Sequence, residues 1–167
     1  MKLDFSEIQN WREFEDLVES YFRKIQELKD TNIVDVKVEA SGEGNDGGRD
    51  ILVSFINNDS IVSYKRVWVV QCKFYERSVS KRELNDLNIP TLIHEYRADG
   101  YLLICKTGVS SKVSEMFENL RRNCRWAYHY EIWTGNIFKE KLLLRPEIIS
   151  QYFPKYHRFI SEKEGFI

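Results

Sequence analysis

Three polar side chains stand at the ends of apolar runs where a buried sheet has no structural use for them. Asp50 opens the run Ile51-Leu52-Val53-Ser54-Phe55, while Gln71 and Lys73 close the run Val67-Trp68-Val69-Val70-Gln71-Cys72-Lys73. Strand side chains alternate, so Gln71 and Lys73 share a face and Cys72 points the other way. Before Asp50 lies Gly42-Glu43-Gly44-Asn45-Asp46-Gly47-Gly48-Arg49, whose glycines let the backbone approach a ligand closely. No Gly-Lys-Ser/Thr follows, so this is not a P-loop. A carboxylate, an amide oxygen and an ammonium beside such a loop suit metal-assisted attack on a phosphodiester. A hard divalent cation prefers oxygen ligands, activates water and neutralises a pentavalent phosphate. Asp50 then supplies a charged ligand, Gln71 an amide oxygen and Cys72 its backbone carbonyl. Lys73 orients or deprotonates the water and stabilises the phosphorane. The ion expected is Mg²⁺, with Mn²⁺ as a substitute. The bland alternatives are a frayed strand end at Gln71 and Lys73, and a turn residue bonding its own backbone at Asp46.

Taken in order, Gly44-Asn45-Asp46-Gly47-Gly48-Arg49-Asp50, a hydrophobic strand and Gln71-Cys72-Lys73 resemble the catalytic domain of Mrr-type restriction endonucleases, within the PD-(D/E)XK nuclease superfamily. The resemblance also takes in Phe14-Glu15 and Lys106-Thr107-Gly108-Val109-Ser110, and extends over residues 11–143. It implies an α/β restriction-endonuclease-like three-layer fold, with a mixed central sheet and helices on both faces. It further implies an endonuclease cutting double-stranded DNA as the effector domain of a restriction or antiphage defence system. The metal-binding carboxylate of that family falls on Asp50, with Asp46, Gly47 and Gly48 supporting it. The glutamate of its Phe-Glu pair falls on Glu15, which gains an active-site role as a second carboxylate, acting through a water or a second ion. Many superfamily relatives carry Glu or Asp where Gln71 stands. With one close strand carboxylate, the cation is expected to be held weakly and shared with the substrate phosphate.

These residues need elements to hold them. Trp11, Phe14, Leu17, Val18, Tyr21, Phe22, Ile25 and Leu28 fall at helical spacing and predict a first helix over 11–28. Glu15 shares that apolar side, whereas Glu13, Asp16, Glu19 and Glu27 read as solvated. Residues 33–38 alternate as a first strand, 50–55 as a second and 67–73 as a third. Ser80-Lys81-Arg82-Glu83 is a capping box that predicts a helix start, with a kink or restart near Pro90. Residues 101–105 predict a fully buried strand, Ser110 or Ser111 caps the next helix, and 127–133 predict a last strand. Thr134-Gly135-Asn136 turns into a short helix through Leu144, and Pro146 starts another through Tyr152. Three antiparallel strands followed by a helical crossover give a mixed sheet covered on both faces. Beyond Pro154 the sequence is aromatic and charged without period. The expected division is therefore a domain over 1–153 and a tail or start of a linker over 154–167.

At 167 residues, 43% hydrophobic and 31% charged, the chain reads as one soluble globular domain. No apolar run is long enough for a membrane span, and residues 1–5 lack a signal-peptide pattern. Cys72, Cys105 and Cys124 have no metal spacing and read as small buried residues, which places the chain in the reducing cytoplasm. The net charge of -1 gives no basic excess for DNA. Affinity must then come from local clustering, from a homo-oligomer or from a larger multidomain effector. Candidate phosphate contacts are Arg49, Arg77, Ser78, Lys81, Arg82 and Lys106, with Lys65 and Arg66 also near the motifs in sequence. His94, His129 and His157 have no spaced partner for a triad or for zinc. Two other readings compete: a structure-specific nuclease such as a Holliday junction resolvase, and a non-catalytic nucleic-acid-binding or docking module on a nuclease fold.

Overall fold

The computed structural model describes residues 1–28, 31–40, 51–84, 88–124 and 129–164. Its centre is one five-stranded sheet in the order β1-β2-β3-β4-β5, with β1 Ile33–Ala40, β2 Ile51–Asn58, β3 Ser63–Lys73, β4 Gly100–Cys105 and β5 His129–Trp133. The first three strands form the expected antiparallel meander. β4 then joins β3 in parallel and β5 joins β4 in parallel. Parallel neighbours need crossovers, and helices supply them: α2 Ile89–Glu95 between β3 and β4, and α3 Ser111–Asn123 between β4 and β5.

The crossovers leave one apolar cluster on each face of the sheet. On one side α2 and α3 bury Ile89, Ile93, Val113 and Phe117 over Val69, Tyr101, Leu103 and Cys105. On the other, α1 Trp11–Arg23, α4 Gly135–Leu142 and α5 Pro146–Tyr152 bury Phe14, Leu17, Val18, Phe138, Leu142 and Ile149 over Ile51, Val53, Val70, Leu102 and Ile104. β4 is buried along its whole length because it meets both clusters. The sheet and its two helical layers are thus as the sequence pattern predicts.

Several local readings differ. The first helix ends at Arg23, and Ile25–Glu27 continues as a 3-10 turn instead of an α-helix to residue 28. The residues described after the capping box at Ser80 form a 3-10 turn, Lys81–Leu84, instead of an α-helix, and a helix starts near Pro90 as expected, at Ile89 with Asn88 as its cap. The residues after Pro154 form a helix, α6 Pro154–Glu164, whose Tyr156 and Ile160 pack on the α1-side cluster. Its first amides, those of Lys155 and Tyr156, donate to the carboxylate of Glu7 at 2.8 and 3.0 Å. The cap comes from the other end of the chain, so no local signal announces this helix.

Two glycines are fixed by close approach. A Cβ on Gly100 would meet the Trp68 ring at 2.8 Å and the His129 carbonyl at 2.9 Å. A Cβ on Gly135 would run into the Lys106 carbonyl oxygen, and the Gly135 amide donates to Thr107 at 2.7 Å. We expect Gly135→Ala to cost about 3 kcal/mol, the upper end of ordinary overpacking. Gly108→Ala, whose Cβ would meet only the Ser78 hydroxyl at 4.0 Å, should cost little. Thermal unfolding of the two variants against the parent checks this.

Candidate active site

The site is built at the C-terminal end of β3. Val67, Val69, Gln71 and Lys73 alternate onto the α2–α3 side, while Trp68, Val70 and Cys72 face α1. Ile51, the residue after Asp50 in the chain, stands opposite Val70, the residue before Gln71. Lys73 lies beside Cys105 of β4, and its carbonyl accepts the Lys106 amide at 2.9 Å.

α1 delivers the carboxylates. Asn10 caps it by accepting from the Glu13 amide at 3.0 Å, which sets where the helical stripe starts. Glu15 and Glu19 are one turn apart on the stripe that carries Phe14, Leu17, Val18, Tyr21 and Phe22 into the core. Glu15 is 2% exposed, Glu19 6%, Gln71 4% and Lys73 7%. Burying four such groups is costly unless they are matched to one another or to a ligand. The three charged ones, Glu15, Glu19 and Lys73, are all felt at Cys72. Desolvation pushes its thiol well above the ordinary range, and Glu15, Cys105 and Glu19 push it further while Lys73 opposes them. Burial likewise pushes Cys105 up to about 12, with Lys73 pulling it down. Both thiols are therefore neutral at neutral pH. The functional groups beside them are oxygens and one ammonium.

Beyond β3, the chain is stitched to the loop after β4. Val79 bridges to Val109 in parallel. The Thr107 hydroxyl donates to the Arg77 carbonyl at 2.8 Å and the Tyr75 carbonyl at 3.3 Å. Ser80 caps the 3-10 turn, with its amide and hydroxyl both donating to Glu83. Arg77 pairs with the other oxygen of Glu83 at 2.5 Å.

The structure gathers Glu15, Gln71, Cys72 and Lys73 at this strand end. Arg77, Ser78, Lys81 and Arg82 follow on an exposed segment, and Lys106 sits beside Lys73. Asp46, Gly47, Gly48, Arg49 and Asp50 lie outside the described residues. Lys65 and Arg66 belong to the far half of β3, roughly 25 Å from Lys73 at the usual strand rise. Neighbours of the motif in sequence, they are remote from it in space. Arg66 instead lines an apolar cavity of about 270 Å³ with Phe22, Phe55, Trp68 and Trp133. The sequence reading missed Glu19. It is buried and paired with Arg23 at 2.6 Å, and the available signal was its position four residues after Glu15. Among the described residues no three His, Cys, Asp or Glu side chains gather as a metal site, and no helix is long and apolar enough to cross a membrane.

The five-stranded mixed sheet with these helices is the fold of the restriction endonucleases. The structure is similar to "DNA modification-dependent restriction endonuclease AspBHI", with a TM-score of 0.54 at 12% identity over 98% of this chain and 43% of that one. It is also similar to "MspJI Restriction Endonuclease in Complex with 27-mer Oligonucleotide", with a TM-score of 0.53 at 15% identity over 77% of this chain and 27% of that one. The chain thus spans less than half the length of either. No curated protein matches it in sequence. The sequence model of the Mrr catalytic domain, described as "Restriction endonuclease", matches residues 7–139. The chain belongs to that family.

The clasp at Glu83 makes a pH-dependent expectation. Hydrogen bonds from Ser80, then from Arg77, hold its carboxyl down from 4.5 to about 2. A depressed carboxyl stabilises the fold fully above its unfolded value, and that contribution is lost as pH falls through the folded value. Glu83→Gln should therefore unfold at lower urea than the parent above about pH 4.5, with the gap closing towards about pH 2. Urea titrations across that range measure it.

Proposed function

We propose that the chain is a metal-dependent endonuclease domain that hydrolyses DNA phosphodiester bonds, and that it serves as the cutting domain of a restriction or antiphage defence system. The observation that carries this reading is the burial of Glu15, Gln71 and Lys73 around one strand end, in a chain of the restriction endonuclease family. The oligonucleotide in the MspJI complex supports DNA as the substrate class.

The donor set suits a hard divalent cation such as Mg²⁺, with Mn²⁺ substituting. The Glu15 carboxylate and Gln71 amide offer oxygens, while the neutral thiols of Cys72 and Cys105 offer no thiolate that would favour zinc. Asp50, Gln71 and the Cys72 carbonyl would hold the ion, with Glu15 as a further ligand directly or through water. When bound, such an ion supplies water activation and charge neutralisation at the phosphate.

The remaining roles fall to the chain's own groups. Lys73 is held by the β3–β4 ladder and buried, so its ammonium meets the reacting phosphate with little solvent to screen it. It orients the attacking water and balances the charge that develops on the phosphorane. Gln71 shares its face one residue pair back and aligns with the same phosphate. Glu15 and Glu19 place negative charge on the α1 side of the strand end, which favours a cation there. Arg77, Ser78, Lys81 and Arg82 lie on the segment leading from the site and contact backbone phosphates beyond the cut. No described element reads as a base-reading helix-turn-helix or zinc finger, so this domain contributes little base specificity.

Cleavage of supercoiled plasmid tests the proposal. The parent protein should nick it in Mg²⁺ or Mn²⁺, lose activity in EDTA, and fall at least about 100-fold with Lys73→Ala, the scale expected for loss of one acid–base or charge-stabilising group. Folded protein that is inactive with every divalent metal, including after enforced dimerisation, would sink it in favour of a binding module.

A further inference from the structure

Lys106 is fixed at the mouth of the site. Its amide is bonded to the Lys73 carbonyl at 2.9 Å, and its own carbonyl lies against Gly135. Its side chain is only 12% exposed. The ammonium sits 4.5 Å from the centre of the Phe74 ring, and Phe74 packs at 5.3 Å on Phe14, the neighbour of Glu15. A cation this desolvated, on an aromatic face, binds an anionic oxygen more strongly than a surface lysine does.

The oxygen it holds belongs to Glu76, whose side chain is 85% exposed. Lys106 is the only partner Glu76 has among the described residues. The comparison with Glu83 is informative. That carboxylate also accepts from Ser80 and shapes the turn, so its pair with Arg77 is part of the fold. Glu76 makes no such turn-forming bond among the described residues. It reaches from solvent to cover one ammonium beside the reacting groups, and a carboxylate oxygen offers that ammonium the same chemistry as a non-bridging phosphate oxygen.

Resting on the nuclease reading above, we propose that Lys106 is a phosphate-holding residue of the site and that Glu76 is a built-in competitor for it. Substrate must displace the Glu76 carboxylate before its phosphate can seat on Lys106. The pair then acts as an electrostatic gate. Weakly held nucleic acid does not open it, whereas a well-placed duplex exchanges one ion pair for another. In a chain with a net charge of -1, such self-pairing keeps the few cations near the site from binding DNA indiscriminately.

A double-mutant cycle tests the gate, with the affinity of a short fluorescein-labelled duplex measured by anisotropy in Ca²⁺ at several salt concentrations. Glu76→Gln should bind about fivefold tighter at low salt, the scale of one partly exposed ion pair, with the gain fading as salt rises. The gain should vanish in a Lys106→Met background, which keeps the stem over Phe74 but removes the charge. It should persist with Lys106→Arg, which keeps the charge. Melting curves confirm that each variant is folded. No gain from Glu76→Gln, or an equal gain with Lys106→Met, would overturn the gate while leaving the nuclease reading intact if the parent still cuts plasmid. A parent that neither binds nor cuts DNA would overturn both.

Discussion

The molecule depends on the cost of keeping charge out of water. Glu15, Glu19, Gln71 and Lys73 are all buried at one corner where α1 crosses the end of β3. A fold built only for stability would place leucine or valine there, since removing ions from water costs several kcal/mol each before any pairing. Here the apolar clusters on the two faces of the sheet supply the stability that lets the corner be polar. The large aromatic side chains of Phe5, Phe14, Tyr21, Phe22, Trp133 and Phe138 pack ring against ring along the α1 side. They fix the helix against the sheet, with both carboxylates close enough to Cys72 to raise its thiol.

The direction of β3 and β4 matters as much as their pairing. Because they run parallel, their C-terminal ends lie side by side, and the loops that follow emerge together. Thr107, Val79 and Val109 then lock the loops to one another, and Gly135 brings the start of α4 onto the Lys106 carbonyl. Residues from three separate parts of the chain thereby share one rigid edge. Functional groups at the carboxyl ends of strands are a recurring solution in open α/β sheets, and the geometry of parallel strands is the reason.

Much of this was legible in the sequence. The alternation of Val67, Val69, Gln71 and Lys73 predicted their shared face, and the apolar run 101–105 predicted a fully buried strand. The order of strands and helices gave the mixed sheet. What stayed hidden depended on distant partners. Glu19 reads as a solvated residue until the packing of α1 shows that its stripe is wide enough to bury two carboxylates. α6 has no local cap, because Glu7 provides it. Lys65 and Arg66 are near Gln71 in sequence, yet a strand carries its residues steadily apart. The capping box at Ser80 was real as chemistry, and the residues described directly after it form a 3-10 turn. Asp50 and the glycines before it lie outside the described residues, so their place rests on the sequence pattern.

The bond from Glu7 to the start of α6 has a kinetic side. It joins residues 148 and 149 positions apart, so it can form only after all the residues between them have been made. During synthesis the turn at Phe5–Glu7 leaves the ribosome well before α6. Until α6 arrives, the patch of the α1-side cluster that takes Tyr156 and Ile160 faces water. Contacts of such long sequence separation slow folding and prolong the life of exposed apolar surface. This helix therefore acts as a closing latch, and the time between the making of Glu7 and of Ile160 is an interval in which this face of the domain is open to aggregation.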